Sequence, residues 1–345
     1  MAQEITEFSY PLIKKVLSGE GSLGKIPQIL KEEGCRRLLV VSSNSVWRSH
    51  FYSELLDSLD ISIEEFHEVT QHSPVEEIEH GVEMLRNRNC DCILSIGGGS
   101  VQDSSKLMRK FYETGIKHVA VPTTLSAAEF SPSAGYSLGG EKMGMRDPEM
   151  VPGYVILDPR ATLETPDWLW LSTGIRALDH AVETLVDSGN TEISETFALM
   201  AIEKLFTNLG SRDTRARLQC QIASWYSYFQ ASDISLGTGH RIGRAIGAKW
   251  DIPHGMTSCI TLPVMARYYS LRHTAQMAKV ARAIGFRGSD EEMLASKAAE
   301  AISILIEKFG LRHRLSDFGI SHDDLGEIAG KVGGSDTLKL LEEML

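Results

Sequence analysis

The sequence lacks an excess of positive charge and any long apolar run. Its 46 Asp and Glu outnumber its 35 Lys and Arg, which gives a formal net charge of −11. An acidic surface of this kind disfavours nucleic acid and anionic lipid as main partners. No run of about 20 apolar residues occurs, so we expect no membrane-spanning helix. The first residues carry acidic side chains and no long apolar core, so we also expect no secretory signal.

Cysteine is scarce as well, and it has no recognisable spacing. The five cysteines include Cys90 and Cys92, which are separated by one residue instead of the two that zinc and redox motifs use. Scattered cysteines are typical of reduced thiols in the cytosol. We therefore expect a cytoplasmic protein whose cysteines form no disulfide framework.

The residues that are present predict two domains. A chain of 345 residues, 42% of them hydrophobic, is long enough for about two globular domains of roughly 150 residues each. Through the first half, short apolar runs alternate with stretches of helical periodicity: strands are predicted at 37–41, 92–96, 119–121 and 155–157, and helices at 76–88 and 101–112. This alternation predicts a parallel sheet with helices on both faces.

The second half has a different pattern. From residue 171 onward nearly every window has helical periodicity, for example 176–186, 194–209, 215–229, 273–283 and 290–309. We place the boundary near residue 160. The prediction is an α/β domain over 1–160 and an all-helical domain over 161–345.

A run of three glycines and a serine, Gly97 to Ser100, lies between a predicted strand and a predicted helix. Glycine lets backbone N–H groups approach a ligand closely, and the start of a helix carries partial positive charge. A pyrophosphate suits such a turn, although the spacing of this run is not the G-x-G-x-x-G fingerprint. The alternative is a tight turn with no ligand.

Hydroxyl side chains follow two other predicted strands. Thr123, Thr124 and Ser126 come just after the strand at 119–121, where they suit either a phosphate and ribose or a simple turn. Ser42 and Ser43 end the strand at 37–41, where an acidic residue would repel a 2′-phosphate. Serines leave room for that phosphate, so both NAD and NADP stay possible.

Three histidines have basic neighbours at helical spacing. Arg176 and His180 are four residues apart, as are His240 and Arg244, so each pair shares one helical face. His254 follows Ile252 and Pro253 at a turn. Three imidazoles suit a divalent metal, and the alternative for each is an ordinary surface or core histidine.

Together these motifs resemble the iron-containing (group III) alcohol dehydrogenase family. The matching segments keep their order over nearly the whole chain: 19–23, 97–100, 122–124, 156–159, 174–183, and His240 with His254 fourteen residues later. Segment 122–130 is most similar to the maleylacetate reductase branch. The resemblance implies an N-terminal α/β dinucleotide-binding domain, an all-α C-terminal metal and substrate domain, bound NAD(H) or NADP(H), and a homodimer.

The resemblance also implies which residues bind the cofactor. The predicted set is Ser42, Ser43, Gly97, Gly98, Gly99, Ser100, Asp103, Thr123, Thr124, Leu125, Ser126 and Lys142.

One metal-ligand position departs from the family pattern. Metal-binding members have three histidines, which match His180, His240 and His254, and an Asp where this chain has Arg176. A guanidinium in place of a carboxylate exchanges attraction for repulsion, and two unit charges about 4 Å apart interact by roughly 4 kcal/mol at an effective dielectric constant of 20. We therefore expect a site without Fe²⁺ or Zn²⁺, in which Arg176 supplies the positive charge.

A metal site is the alternative. In that case Arg176 turns away into an ion pair with Glu183 or Asp179, and the three histidines still hold zinc together with water.

The expected reaction is hydride transfer between NAD(P) and a small carbonyl, alcohol or enoate. His240 or His254 is the expected proton donor. Arg176, together with Arg244 at the position of another family histidine, is expected to orient an anionic substrate such as a keto acid, dicarboxylate or phosphonate. The alternatives are a metal-dependent alcohol or aldehyde dehydrogenase with a neutral substrate, a lyase related to dehydroquinate synthase, and a non-catalytic nucleotide-binding protein.

Overall fold

The computed structural model describes residues 10, 12–112, 115–139, 141–187, 189–229 and 237–345. The chain divides into two compact units. Of these described residues, the α/β unit comprises those within 12–166 and 211–222, and the helical unit comprises Tyr10 and those within 167–210 and 223–345. The first unit thus runs a few residues past the predicted boundary near 160 and includes one segment from the second half of the chain.

The α/β unit contains a parallel sheet, which in the described residues has six strands in the order β1-β8-β5-β4-β2-β3. The strands are β1 (Lys15–Ser18), β2 (Arg37–Ser42), β3 (Ser62–Phe66), β4 (Cys92–Gly97), β5 (Lys117–Pro122) and β8 (Tyr154–Leu157). A separate antiparallel hairpin consists of β6 (Ser133–Leu138) and β7 (Glu141–Arg146). The predicted parallel sheet is confirmed; its strands β1 and β3, and the separate hairpin, were not predicted.

Both faces of this sheet are buried, which explains why its central strands are almost continuously apolar. Alternate residues of β2 and β4 enter two different cores. Leu38 and Leu94 pack into one core with the helices at 26–32 and 50–57, whereas Leu39 and Ile93 pack into the other with the helices at 75–88 and 99–112. The helices of this half are α1 (Ile26–Glu32), α2 (Asn44–Trp47), α3 (His50–Asp57), α4 (Val75–Arg88) and α5 (Gly99–Tyr112).

The second half is helical, as predicted. Its helices are α6 (Asp167–Val186), α7 (Glu192–Asn208), α8 (Thr214–Ser227), α9 (Thr238–Lys249), α10 (His254–Arg272), α11 (Thr274–Ala283), α12 (Glu291–Lys308), α13 (Leu325–Val332) and α14 (Thr337–Met344). No helix in the described ranges combines the length and the apolar character needed to cross a membrane.

Helix α10 packs against α6, α9 and α12. Its first turn lies very close to α6, because a Cβ atom on Gly255 would be 2.8 Å from the backbone and side chain of Ser172. This glycine allows the backbones of the two helices to approach, and it places His254 directly beside α6.

Candidate functional site

One face of α6 is lined with buried charged and titratable side chains. Arg176, Asp179, His180 and Glu183 follow one another at helical spacing, and each is at most 5% exposed. Buried charges and imidazoles are expensive unless they have partners. This face therefore indicates a functional site or a specific polar network.

The guanidinium of Arg176 lies between two histidines on other helices. Its Nη2 is 2.7 Å from Nδ1 of His240 on α9 and 2.6 Å from Nε2 of His254 on α10. The ring of His180 is 5.6 Å from that of His240, measured between centroids. The structure thus brings together Arg176, His180, His240 and His254, four of the residues that the sequence singled out.

The other terminal nitrogen of Arg176 contacts Ser258, which the sequence did not indicate, and Asp179, which it indicated as an alternative ion-pair partner. Nη1 donates to Oγ of Ser258 at 2.9 Å and is 3.7 Å from Oδ2 of Asp179. Ser258 Oγ in turn donates to the same Asp179 oxygen at 2.7 Å. Arg176 therefore contacts Asp179, as in the alternative considered above, and at the same time faces the two histidines.

Glu183 holds the start of α9, the helix that carries His240. Its carboxylate accepts from the backbone N–H of Gly237 and from that of His240, each at 3.2 Å. Tyr269 OH also donates to Glu183, at 3.4 Å. An acidic group at the first turn satisfies N–H groups that have no partner within the helix. The position of His240 is thus fixed from α6.

Burial sets the protonation of the cluster. Burial, reinforced by the charge of Arg176, holds the pKa of His180 and of His240 well below the usual range, so both imidazoles are neutral. Burial also lowers the pKa of Arg176, although Asp179 and Glu183 oppose that change. Arginine has so high an intrinsic pKa that it stays protonated. It is the fixed positive charge of the cluster.

The residues present do not fit a divalent cation at this position. A metal needs lone pairs from the imidazoles, and nitrogens of both His240 and His254 are within hydrogen-bond distance of the Arg176 guanidinium, which has only donors to offer. Nδ1 of His180 is buried and has no hydrogen-bond partner in the described part of the chain. In the same residues, no group of three or more His, Cys, Asp or Glu side chains is arranged to bind a metal.

Two predicted site residues lie at the surface. His254 and Arg244 are both exposed, in contrast to the buried His180 and His240. His254 nevertheless contacts Arg176, so the cluster extends from the interior of the helical unit to its surface. A small molecule in solvent can reach this edge.

The glycine turn lies in the α/β unit, at the carboxyl end of β4 and the start of α5. A Cβ atom on Gly98 would be 3.0 Å from Cγ2 of Thr124, so any larger residue here would push the segment after β5 away from the turn. Oγ1 of Thr124 is buried without a hydrogen-bond partner among the described residues. A spare hydroxyl beside the N-terminus of a 14-residue helix fits the phosphates of a dinucleotide.

The other predicted hydroxyl residues lie at the same edge of the sheet. Ser42 pairs in register with Ile96, and Gly97 pairs with Pro122, so β2, β4 and β5 end side by side. Ser43 caps α2, accepting from the N–H of Val46 at 3.5 Å. The carboxyl edge of a parallel sheet is where such folds bind nucleotides.

In the segment after β5, several polar groups already have protein partners. The carbonyl of Thr123 accepts from Oγ1 of Thr165 at 2.8 Å, and Oγ of Ser126 accepts from the N–H of Ala128 at 3.4 Å. Leu125 between them is fully buried. Ser100 has its carbonyl bonded by Ser73 Oγ at 3.1 Å.

Asp103 and Lys142 complete the predicted cofactor set. The carboxylate of Asp103 is 2.9 Å from Nζ of Lys106 and accepts from the N–H of Gly135 at 3.0 Å. Lys142, on β7, has its Cε 3.8 Å from the place where a Cβ on Gly135 would be. Asp103 thus joins α5 to the hairpin, a contact that the sequence analysis did not anticipate.

Sequence reasoning missed Ser258, although a signal for it exists. Ser258 is four residues after His254, and that spacing places both side chains on one face of α10. The sequence indicated Asp179 only as an alternative ion-pair partner of Arg176, and the hydroxyl that bridges the two residues comes from Ser258 on another helix.

Comparison with known proteins gives one consistent result. The family described as "Iron-containing alcohol dehydrogenase" matches residues 14–159, and "Fe-containing alcohol dehydrogenase family, C-terminal" matches residues 170–339. A maleylacetate reductase of Rhizobium sp. (strain MTP-10005) is 25% identical over 321 residues, which is 91% of this chain and 88% of that protein. An NAD-dependent methanol dehydrogenase of Bacillus methanolicus is 23% identical, with 90% of this chain and 89% of that protein covered.

The fold agrees with these matches. The crystal structure of maleylacetate reductase from Agrobacterium tumefaciens superposes with a TM-score of 0.86 at 23% identity, covering 99% of each chain. The two family matches follow each other along the sequence and together span both halves of the chain. The chain belongs to the iron-containing alcohol dehydrogenase family and is an NAD(P)-dependent oxidoreductase.

Proposed function

We propose that this protein reduces small anionic carbonyl or enoate compounds with NADH or NADPH, in the manner of a maleylacetate reductase, and that its helical unit works without a divalent metal. The observation that carries the proposal is the Arg176 guanidinium, whose Nη2 is 2.6 Å from Nε2 of His254 and 2.7 Å from Nδ1 of His240. The maleylacetate reductases among the relatives support the reaction class.

In this proposal the guanidinium of Arg176 supplies the positive charge that a divalent metal would otherwise supply. Bound NADH or NADPH would supply the hydride. The fixed charge of Arg176, together with Arg244, orients the anionic substrate and stabilises the negative charge that develops on its oxygen. Arginine suits this task because its planar fork matches a carboxylate and it stays charged when buried.

His254 is the proposed proton donor. Arg176 can only donate, so Nε2 of His254 accepts, and the exchangeable proton of a neutral ring lies on Nδ1. His254 is exposed and can be reprotonated from solvent, whereas the buried His240 is held neutral. This difference favours His254 over His240 as the proton donor.

The cofactor is proposed to bind at the glycine turn and the hydroxyl side chains beside it. No carboxylate ends β2 at Ser42 and Ser43, so either NADH or NADPH can be accepted. The homodimer and the cytoplasmic location stay predictions.

A substrate pair tests the anionic preference. Cofactor oxidation is followed at 340 nm with a 4-oxo-enedioate and with its neutral diester, which present the same reacting carbon atoms. We expect kcat/KM to be at least about 100-fold higher for the dianion, because the guanidiniums discriminate through charge-assisted hydrogen bonds. Equal or higher efficiency with the diester, or with a simple aldehyde, would contradict the proposal.

Elemental analysis of the same preparation tests the metal-free site. We expect turnover to be independent of bound Fe or Zn and to survive dialysis against a chelator. Stoichiometric metal that is lost together with activity, and restored together with it, would instead favour the metal-dependent dehydrogenase with a neutral substrate.

A further inference from the structure

The guanidinium of Arg176 has two edges with different partners. Nη2 faces the imidazoles of His240 and His254. Nη1 faces the Ser258 hydroxyl at 2.9 Å and Oδ2 of Asp179 at 3.7 Å. One edge contacts the predicted proton donors, and the other contacts a carboxylate and a hydroxyl that belong to no predicted catalytic set.

The hydrogen bonds on the second edge have a defined direction. Arginine cannot accept, so Ser258 Oγ accepts from Arg176 and uses its single proton to donate to Asp179 at 2.7 Å. Both Ser258 and Asp179 are fully buried. The hydroxyl is therefore fixed in one orientation, and a chain of donors runs from Arg176 to the carboxylate.

This hydrogen-bonded chain also places the negative charge of Asp179 next to the positive charge of Arg176. A buried cation needs a buried anion close to it, and removing one partner of such a pair is strongly destabilising. Asp179 is the acidic group in contact with Arg176, while Glu183 is engaged by the N-terminus of α9. Arg244, on α9, is a second positive charge that acts on Arg176.

We propose that Asp179 and Ser258 are positioning residues, which hold Nη1 of Arg176 so that Nη2 is presented to His240 and His254. The inference rests on the proposed function, in which the guanidinium replaces a metal. It adds that this replacement depends on a second pair of residues, one on the same helix and one on α10. Neither positioning residue touches substrate; both act through Arg176.

A double-mutant cycle tests the proposal. The variants are R176M, D179N and the combination, assayed in the full-length protein with the 4-oxo-enedioate and NADH or NADPH. We expect D179N to lower kcat/KM about 30-fold and R176M more than about 100-fold. The combination should be no worse than R176M alone, because Asp179 has nothing left to position. Additive losses would overturn the proposal, since Asp179 would then act independently of Arg176.

Variants of Ser258 provide a second test, which still applies if the D179N variant does not fold. We expect S258A to lower kcat/KM about tenfold, S258T to restore it because the hydroxyl remains, and KM for the cofactor to be unchanged in both. The matched control is T261V, one turn along α10, where Oγ1 is buried without a hydrogen-bond partner in the described residues. T261V should equal wild type. Equal losses in S258A and T261V, or no rescue by S258T, would overturn the positioning role.

The two proposals fail in different ways. Metal-dependent turnover of neutral substrates in the wild type contradicts the proposed function itself. Metal-free turnover of the dianion with an additive cycle contradicts only the roles of Asp179 and Ser258.

Discussion

Lys106 in the α/β unit and Arg176 in the helical unit are both buried cations on helices, but their partners differ in kind. Lys106 pairs with Asp103 at 2.9 Å and donates to three backbone carbonyls, those of Ala128 at 2.8 Å, Ser131 at 3.2 Å and Ser133 at 2.5 Å. Backbone carbonyls do not titrate, and the fold keeps them in place. Lys106 thus ties α5 to the segment that leads into the hairpin.

The hydrogen-bond partners of Arg176 are side chains, and the two imidazoles among them can gain or lose a proton. Its acceptors are two imidazoles and a hydroxyl, and its Nε is buried with no hydrogen-bond partner among the described residues. Buried donors are normally satisfied, so this Nε–H is a hydrogen-bonding group that the described residues leave unused. In the proposed function, the first cation stabilises the fold and the second acts on the substrate.

Removing Lys106 gives the largest expected effect. K106M leaves three carbonyls without their donor, and each unsatisfied buried group costs about 1–3 kcal/mol, so we expect a loss of about 5 kcal/mol. That is comparable to the whole stability of many domains. Chemical denaturation followed by far-UV circular dichroism measures it.

The control is K110M, on the same helix. Lys110 pairs with Asp147 at the surface, where such pairs contribute little, so its unfolding midpoint should equal that of wild type. A K106M midpoint that also equals wild type would break the comparison.

Removing Arg176 should have the opposite result: a large loss of activity and a smaller loss of stability. We expect R176M to lower kcat/KM for an anionic substrate by about 10²–10³-fold, the usual loss when one charge-stabilising donor is removed. Its stability should fall less than that of K106M, because Asp179, whose pKa burial already raises, can take up a proton once the cation is gone. Steady-state kinetics and denaturation of one preparation check both points.

R267M is the matched arginine control. Arg267 lies half-exposed on α10 with Glu343, so both kinetics and stability should be unchanged. An R176M variant that retains activity but unfolds would show that Arg176 is structural, like Lys106.

The two regions also differ in how far the sequence could predict them. The glycine turn is local: strand, glycines and helix are consecutive, so the pattern of residues 92–112 indicates the geometry directly. The cluster around Arg176 joins α6, α9 and α10. The i, i+4 spacing predicted which residues share a face, but not that the Ser258 hydroxyl would connect Arg176 to Asp179. Nor did the sequence indicate the partners of Lys106, because carbonyls carry no side-chain signature.

The pH dependence of stability tests whether the Lys106 region contains a titrating group. Glu129 is 1% exposed, and burial raises its pKa to about 7, against the lowering effect of Lys106. Between the ordinary value of 4.5 and about 7, the folded state keeps a proton that the unfolded state has lost, so stability falls as pH rises through this window, by about 3 kcal/mol.

E129Q should remove this slope. We expect the unfolding midpoint of wild type to fall between pH 5 and pH 8 relative to that of E129Q, which keeps a neutral side chain throughout. Parallel curves for the two proteins would show that Glu129 is ionised in the fold and serves as a second counter-charge for Lys106.

The smallest effect is expected at Arg244, an exposed cation on α9. R244A should raise KM for an anionic substrate about three- to tenfold and leave a neutral analogue unaffected, because an exposed charge attracts an anion only weakly. The effect should shrink between 0.1 M and 1 M salt, as the Debye length falls from about 10 to about 3 Å.

R241A is the control, since Arg241 is also exposed on α9. If R241A had the same effect, the preference would come from the general charge of α9 and not from a substrate contact. If R244A were instead as damaging as R176M, the exposed guanidinium would be the principal anion ligand, and the buried one would act only on the histidines.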